Sequence, residues 1–596
     1  MKQQISCKQF WDRLYQDCKR NTERYIIRED GAIYPKGPYH YMIGPDAACR
    51  EAYVMAVAYH FSGDETLCQK AELFLDYAGK SLIQKDGYVY WPAPVATLCD
   101  MGRWAREAYR AAEILQYDPA IRWLETIFDC WPYRENEHRF VERFMEATHY
   151  PTSVNGFLTT YNMIAEGVAD GWLVANKTGN QNLKDKVKDI LCNFILPGQR
   201  GDGLWNYSAP KAEDMGYLND GEKEYNYCLY LVYILSNLLE CPDARPLLEE
   251  PLKKAVDELI RRFMHADGSI YTPVHWGWDH IYESTLLTSV VCWRLYHCCG
   301  YAQYSTVAAR GIHWLMVTDM GVGNLSGGMS CVGLYWNALF LDMLKDDFSV
   351  EGELCTKAEV IHTLEKVEKI LSIVPPDGTH RELYFSLGVY NTCYAIQRKI
   401  QRLKKENDDV LSIPMWPNHV RTDMPWQFED TGYSGKMTIS YDDEGLYVMV
   451  DCSGSMEKQP YTDASLYQGD GVILTLRDSK GNHALINLAL QEGEPVAYLY
   501  NDALPFKGDL RLYVESEPQG WYLKNSSVVA EMTETGVVFR AKLLWKELGL
   551  EVVRGERLVG GVAITRYTPY GCQYNQWGRT DLEDRDFSYN GMFELV

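Results

Sequence analysis

The sequence has no long apolar run. No segment reaches the roughly 18 consecutive apolar residues that read as a membrane-spanning helix. Residues 1–20 carry no apolar stretch of the kind found in a secretory signal. The 17 cysteines show no disulfide-framework spacing. We therefore expect a cytoplasmic protein with reduced thiols and no membrane partner, although a secreted chain whose signal had been removed would look the same.

Positive charge is also scarce. The chain has 59 lysines and arginines against 82 aspartates and glutamates, a net charge of −23. A general basic surface for nucleic acid is therefore excluded. The sequence also has few motifs for binding a cofactor or a metal. The glycines between 321 and 328 match a phosphate-binding loop only weakly, and His275 and His280 have no further ligands at a zinc spacing. We expect no cofactor and no catalytic metal, and leave open a structural metal bound by distant residues.

What the sequence does contain is a repeated phrase, an Asp-Gly pair followed by aromatic residues. The copies are Asp30-Gly31, Asp86-Gly87, Asp202-Gly203 and Asp267-Gly268, with Asp377-Gly378 as a degenerate fifth. Their spacing approximates multiples of about 58 residues, which is typical of an array of similar supersecondary units. If each unit places its turn on one rim, that rim is a bowl lined by aromatic rings.

The hydrophobic pattern divides the chain into two parts. From about residue 45 to 405 the apolar spacing is helical and predicts six to seven antiparallel helix hairpins in series. We interpret 1–410 as an (α/α)6-type helical toroid. Prolines interrupt regular structure in 411–424, which we interpret as a linker. An alternating pattern then predicts an antiparallel β-sandwich over 425–596.

Three segments of the helical part combine polar and aromatic side chains where a helix pair ends. They are 149–162, 205–225 and 275–283. The third is the densest, with two histidines and two tryptophans in a predicted loop, and loops that carry such groups are often functional. The alternative is packing: Asp279 can cap the helix that follows it.

The sandwich part resembles the family 9-like carbohydrate-binding modules. The resemblance rests on 441–448, on Gly469-Asp470-Gly471-Val472, on 539–550 and on the late Arg566 and Trp577-Gly578-Arg579. It implies sugar binding by Arg566, Trp577 and Arg579. The alternative is that the sandwich only braces the toroid.

The helical part resembles, more loosely, the (α/α) toroid enzymes of glycan metabolism. These include heparinase-like and alginate-type lyases, unsaturated uronyl hydrolases and related glycosidases. The residues that carry the resemblance are the Asp-Gly-aromatic turns and Asn155 before a long predicted helix. It implies an enzyme that cleaves a glycosidic C–O bond in a carbohydrate substrate, although fold alone does not fix the reaction.

Two mechanisms suit these residues. In a uronate lyase, tyrosine and histidine carry the protons while an amide holds the carboxylate. In a glycoside hydrolase, two carboxylates flank the bond. The candidate catalytic residues are His149, Tyr150, Tyr207, Glu224, His275, Asp279, His280 and Glu283. The candidate substrate-binding residues of the toroid are Asn155, Tyr161, Trp205, Asp220, Glu222, Trp276 and Trp278.

The tyrosine and histidine content of these segments favours the lyase slightly over the hydrolase. A non-catalytic glycan-binding protein is the third possibility. The sequence leaves the sugar, the linkage and the oligomeric state open.

Overall fold

A computed structural model describes most of both parts of the chain. The described residues are 2–5, 12, 15, 18–19, 25–27, 33–35, 45–85, 88–90, 98–131, 133–140, 161–206, 225–270, 281–318, 338–339, 342, 348–351, 355–371, 400, 403–404, 410–424, 426–427, 434–454, 456, 459–480, 482–500, 520–568, 571–577 and 591–596. Within them, a helical region is followed by antiparallel-rich β-sheets. The predicted fold class, an (α/α) toroid followed by a β-sandwich, is confirmed.

The helical region is built from helix hairpins. Five complete pairs lie within the described residues: α1 Pro45–Ser62 with α2 Glu65–Lys80, α3 Leu98–Leu115 with α4 Asp118–Asp129, α5 Tyr161–Thr178 with α6 Gln181–Ile190, α7 Tyr225–Ser236 with α8 Arg245–Phe263, and α9 Ile281–Cys299 with α10 Gln303–Val317. A further helix, α11, spans Lys357–Leu371. Short strands accompany them: β1 Lys2–Ile5, β2 Tyr25–Ile27, β3 Ile33–Pro35, β4 Ile83–Lys85, β5 Tyr88–Tyr90, β6 Tyr133–Arg134, β7 Arg139–Phe140 and β8 Phe348–Glu351.

The first helix of each pair forms an inner layer. Helices α1, α3, α5, α7 and α9 contact one another in sequence order, and their described side chains are almost all buried. The second helices are amphipathic and bury one face only, as expected of an outer layer. Because a short link joins the two helices of each pair, the inner helices all run in one direction.

Residues far apart in the sequence close the inner layer. The Tyr53 hydroxyl of α1 donates a hydrogen bond to Asp342 Oδ2 at 2.9 Å. Arg110 of α3 donates to the same oxygen from Nη2 at 2.8 Å. The last part of the helical region therefore lies beside the first, as a toroid requires.

The Asp-Gly turns pack each unit against the next outer helix. Gly203 and Gly268 have φ values of +90° and +92°. In each turn the aspartate accepts from a backbone N–H two residues on, as Asp267 Oδ1 does from Ser269 at 3.1 Å. A Cβ on Gly268 would lie 2.6 Å from the Cβ of Arg310 in α10. Only glycine combines this backbone conformation with so close an approach.

The sandwich consists of two sheets around one apolar core. The first has the order β10 Val420–Asp423, β12 Gly435–Tyr441, β13 Gly445–Ser453, β19 Gly536–Leu544 and β18 Ser527–Met532. The second has the order β11 Trp426–Gln427, β21 Gly571–Trp577, β20 Arg557–Thr568, β14 Gly471–Arg477, β15 His483–Gln491, β16 Glu494–Tyr500 and β17 Gly520–Tyr522, with β22 Gly591–Leu595 beside β20 and β9 Val410–Ile413 parallel to β22. A single helical turn, α12, spans Trp545–Leu548.

The segment predicted as a linker belongs to these sheets. Strand β9 pairs with β22 in the order Met592↔Val410 to Leu595↔Ile413, and β10 pairs with β12. The prolines of this segment lie outside both strands, so they interrupt the pairing without ending it. The linker assignment for 411–424 is therefore corrected, while the division of the chain into two domains stays a prediction.

Candidate active site

A row of polar residues runs along one face of helix α5. Asn162, Glu166 and Asp170 are spaced four residues apart, so their side chains lie one above another on the helix. All three are buried. The adjacent face carries Gly167 and Gly171, where a Cβ would lie 1.8 Å from the Trp131 ring and 2.8 Å from Val187. These glycines let the outer layer pack against α5, and the polar row is thereby turned toward the inner helices.

Helix α3 supplies the opposing groups. Arg106 and Glu107 are both buried, and both act electrostatically on Asp170. On its other side, Glu107 Oε1 lies 3.8 Å from Arg50 Nε of α1. We name Glu107, Glu166 and Asp170 the acid cluster. It draws on two inner helices and is flanked by two guanidinium groups.

The acid cluster is not fully hydrogen-bonded. Among the residues that the structure describes, no partner lies within hydrogen-bond distance of Glu107 Oε2, Asn162 Oδ1 or Asp170 Oδ2. Burying a polar atom without a partner costs about 1–3 kcal/mol, and most native proteins avoid it. Such atoms are therefore candidates for contact with a substrate, with water or with a mobile proton.

The protonation of Asp170 is strongly perturbed. Burial raises the pKa of this carboxyl well above its usual range, and the neighbouring Glu166 and Glu107 raise it further, while Arg106 opposes them. Burial and neighbouring carboxyl groups both favour the protonated form of a carboxyl group. The cluster therefore favours protonation of Asp170 beside two other carboxyl groups.

Further polar contacts fix the guanidinium groups. Arg106 donates to the Tyr233 hydroxyl and, at 3.1 Å, to Asn237 Oδ1. Its guanidinium carbon lies 4.3 Å from the centroid of the Tyr233 ring. Arg294 approaches the same ring at 5.8 Å. These contacts anchor Arg106, and so they hold the positive charge beside the acid cluster in one position.

Glu283 is the described member of the predicted catalytic set. It lies in the first turn of α9 and is 3% exposed. Ser284 and Thr285 beside it are buried as well. Partial positive charge at a helix N-terminus stabilises an ionised carboxylate. Glu283 and Glu166 thus lie in the first two turns of two inner helices that run in the same direction.

Two predicted substrate contacts of the toroid are core residues instead. Trp205 is 1% exposed, and its indole N–H donates to the Ile195 carbonyl at 2.8 Å. Tyr161 is buried, burial raises the pKa of its hydroxyl, and that hydroxyl lies against Gly198. Both rings fill space between the layers, so the structure favours packing over substrate contact for both.

The predicted sugar-binding residues of the sandwich differ in their burial. Trp577 is 8% exposed and packs against Phe593, with ring centroids 4.7 Å apart. Its ring belongs to the core between the sheets, so the structure favours packing over the predicted sugar contact. Arg566 lies half-buried on β20, opposite Gln573 of β21.

The other predicted site residues lie outside the described residues. They are His149, Tyr150, Asn155, Tyr207, Asp220, Glu222, Glu224, Trp276, His275, Trp278, Asp279, His280 and Arg579. In the sequence, the first twelve precede the inner helices α5, α7 and α9. Their roles stay predictions.

Sequence reasoning missed the acid cluster. The signal was present: Asn162, Glu166 and Asp170 recur every four residues in a helix that is otherwise apolar or small on that face. Polar residues at a core spacing are unusual, because buried charge is costly. The predicted site residues were instead taken from segments rich in aromatic residues.

The described residues also bear on membrane insertion and metal binding. None of their helices is both long and apolar enough to cross a membrane. Within the same ranges, no group of three or more histidine, cysteine, aspartate and glutamate side chains is arranged to hold a metal ion.

Comparison with known proteins gives structural similarities only. No family model and no curated protein matches the chain. The helical part is similar to cellobiose 2-epimerase from Bacillus thermoamylovorans, at 10% identity and a TM-score of 0.39, over 52% of this chain and 88% of that one. It is also similar to an unsaturated glucuronyl hydrolase specific for heparin, at 11% identity and a TM-score of 0.38, over 51% of this chain and 83% of that one.

The sandwich part is similar to a family 9 carbohydrate-binding module from Caldicellulosiruptor kristjanssonii. That module was solved with cellotriose, and it matches at 13% identity and a TM-score of 0.22, over 31% of this chain and 93% of the module. The chain is therefore similar to toroid enzymes and to a family 9 module, the two resemblances that its sequence motifs carry.

Proposed function

We propose that the protein is a glycan-active enzyme that hydrolyses a glycosidic bond at the N-terminal ends of its inner helices. The observation that carries the proposal is the acid cluster, in which Glu107, Glu166 and Asp170 are all buried in the inner layer. The substrate class comes from the sequence motifs shared with toroid enzymes of glycan metabolism and with sugar-binding modules.

A structural role alone accounts poorly for this cluster. Replacing buried ion pairs by apolar residues is often neutral or stabilising, so such groups are weak evidence for stability. Strongly perturbed carboxyl groups are more frequent at functional sites. Three carboxyl groups and two arginines in the inner layer therefore favour chemistry over support.

Hydrolysis needs one carboxyl group that gives a proton and one that is ionised. We assign the acid to Glu166, because Asp170, whose pKa is raised by burial, lies one turn away and can resupply its proton. We assign the base to Glu283, because it lies in the first turn of α9, where a helix N-terminus stabilises a carboxylate. The leaving sugar oxygen takes the proton of Glu166, and water supplies the hydroxyl to the anomeric carbon while its proton passes to Glu283.

The roles of the other groups follow from their contacts. Arg50 holds Glu107 in an ion pair at 3.8 Å, and Arg106 is fixed by Tyr233 and Asn237. Together they limit the negative charge beneath Glu166. Uronate β-elimination, the sequence-based preference, depends on tyrosines and histidines outside the described residues, and it stays a prediction.

The test compares two products of the same incubation. The full chain is incubated with neutral glycosides and with uronate glycans, and reducing ends are followed together with the ultraviolet absorbance of an unsaturated uronyl product. New reducing ends without absorbance support hydrolysis. Absorbance that rises with the ends would establish elimination and contradict the proposal.

Variants connect the reaction to the carboxyl groups. We expect Glu166→Gln and Glu283→Gln each to lower kcat by about 10²–10⁴-fold, the usual contribution of a general acid or base. Glu258→Gln on outer helix α8 is the matched control and should leave kcat unchanged. Equal activity of all three variants, with the circular dichroism of the wild type, would remove the two glutamates from the mechanism.

A further inference from the structure

The most exposed tryptophan among the described residues of the sandwich lies on a fixed support. Trp416, in the turn between β9 and β10, is 55% exposed. Its backbone N–H donates to the Tyr441 carbonyl at 2.7 Å, and the Asn418 N–H donates to Met415 at 3.1 Å. Exposing an indole ring to water forfeits its hydrophobic stabilisation. A ring that is both exposed and held in place is a candidate contact surface.

A second ring backs the first. Trp416 stacks on Tyr447 of β13 with ring centroids 4.9 Å apart and planes 22° from parallel. The Tyr447 hydroxyl donates to Asp442 Oδ2 at 2.6 Å. Stacking and hydrogen bonding therefore fix the orientation of both rings, and little conformational entropy is left to lose on binding.

Charged groups lie at the edge of this pair. The Lys542 ammonium lies 5.2 Å from the centroid of the Tyr447 ring and 2.6 Å from Glu444 Oε2. Asp442 accepts from the Glu444 and Gly445 backbone N–H groups, each at 2.9 Å. The stacked rings thus have hydrogen-bonding groups of both kinds beside them.

We propose that Trp416 and Tyr447, with Asp442, Glu444 and Lys542 at their edge, form a binding site for the flat face of a neutral sugar ring. The C–H groups of a pyranose can pack on an indole face, while its hydroxyls reach the polar edge. Two carboxylates against one ammonium disfavour a uronate. The area of one open indole face is also far smaller than the roughly 800 Å² that each partner buries in a specific protein interface.

This site is separate from the residues that the sequence indicated. Trp577 lies in the core between the sheets, whereas Trp416 stacks on the outer side of the sheet that contains β13. It also lies on a different part of the chain from the acid cluster. The proposal therefore goes beyond the proposed hydrolysis, and either can fail without the other.

The test is affinity electrophoresis of the full chain through gels containing soluble β-glucan, xylan or mannan. All proteins carry Glu166→Gln, so that the polymer is not degraded during the run. Trp416→Ala removes the ring, Trp416→Phe keeps a smaller ring, and Trp521→Ala is the control. Trp521 is 45% exposed on β17 of the other sheet, so its loss removes a similar exposed area.

We expect the parent to be retarded by at least one of these polymers, and Trp416→Ala to weaken its binding by about tenfold or more. Trp416→Phe should keep part of the retardation, and Trp521→Ala all of it. The proposal is overturned if none of the three polymers retards the parent, if Trp416→Ala binds as well as the parent, or if both alanine variants lose binding equally. A change of sedimentation coefficient in Trp416→Ala alone would identify the ring as a protein contact and would also overturn it.

Discussion

The raised pKa of Asp170 predicts a dependence of stability on pH. The unfolded carboxyl ionises with a pKa near 3.9, whereas burial raises the pKa of the folded one well above its usual range. Between those two values the unfolded state binds one proton fewer than the folded state. This group therefore makes the protein less stable as the pH rises, by about 1.4 kcal/mol per pH unit.

The substitution Asp170→Asn isolates this contribution, because asparagine has the shape of a protonated aspartate and does not titrate. Relative to the wild type, the variant should gain free energy of unfolding as the pH rises above about 4, the range in which only the unfolded carboxyl loses its proton. The assay is chemical denaturation of both proteins at several pH values, followed by the circular dichroism of the helices.

Glu258→Gln is the control for this experiment. Hydrogen bonds from Arg261 and Arg262 lower the pKa of Glu258 to about 2. This group is therefore ionised in both states over the same pH window, and its difference from the wild type should stay constant. A constant difference for Asp170→Asn as well would show that Asp170 is ionised in the folded state, and the proposed proton store would be refuted.

Two further predictions concern the turns and the core. Gly268→Ala should lower the free energy of unfolding by about 2 kcal/mol or more, because positive φ and a clash with α10 act together. Gly63→Ala, at φ +68° with open space around it, should cost only about 1 kcal/mol. Thermal unfolding of both variants checks this, and equal shifts of the melting temperature would contradict it. Trp205→Phe should cost about 1–3 kcal/mol, because the Ile195 carbonyl loses its donor and a cavity remains. Full stability of that variant would return Trp205 to the set of candidate substrate contacts.

Much of the fold was predictable because its pattern is local. Alternation of apolar residues predicted the β-sandwich, and helical spacing predicted a series of helix hairpins, of which the described residues contain five. The two described copies of the Asp-Gly phrase, at Asp202 and Asp267, follow the outer helices α6 and α8. Their observed role is packing and not the expected aromatic rim, since the described copies pack against the next outer helix and Trp205 is buried.

The rest depended on contacts between distant residues. Strand β9 is too short to be recognised by itself, and it forms because β22, at the far end of the sequence, pairs with it. The burial of Trp577 similarly depends on Phe593. The acid cluster requires α3 and α5 to be neighbours. Helical periodicity predicts each helix but not which helices pack together.

The central claim, that inner-helix carboxyl groups cleave a glycosidic bond, is tested most directly by the kcat of Glu166→Gln beside Glu258→Gln. Reducing ends and ultraviolet absorbance are followed together on any substrate that the wild type cleaves. We expect new reducing ends without absorbance in the wild type, and a kcat lower by about 10²–10⁴-fold in Glu166→Gln but not in Glu258→Gln. Wild-type turnover in Glu166→Gln, or absorbance that rises with the ends, would contradict it.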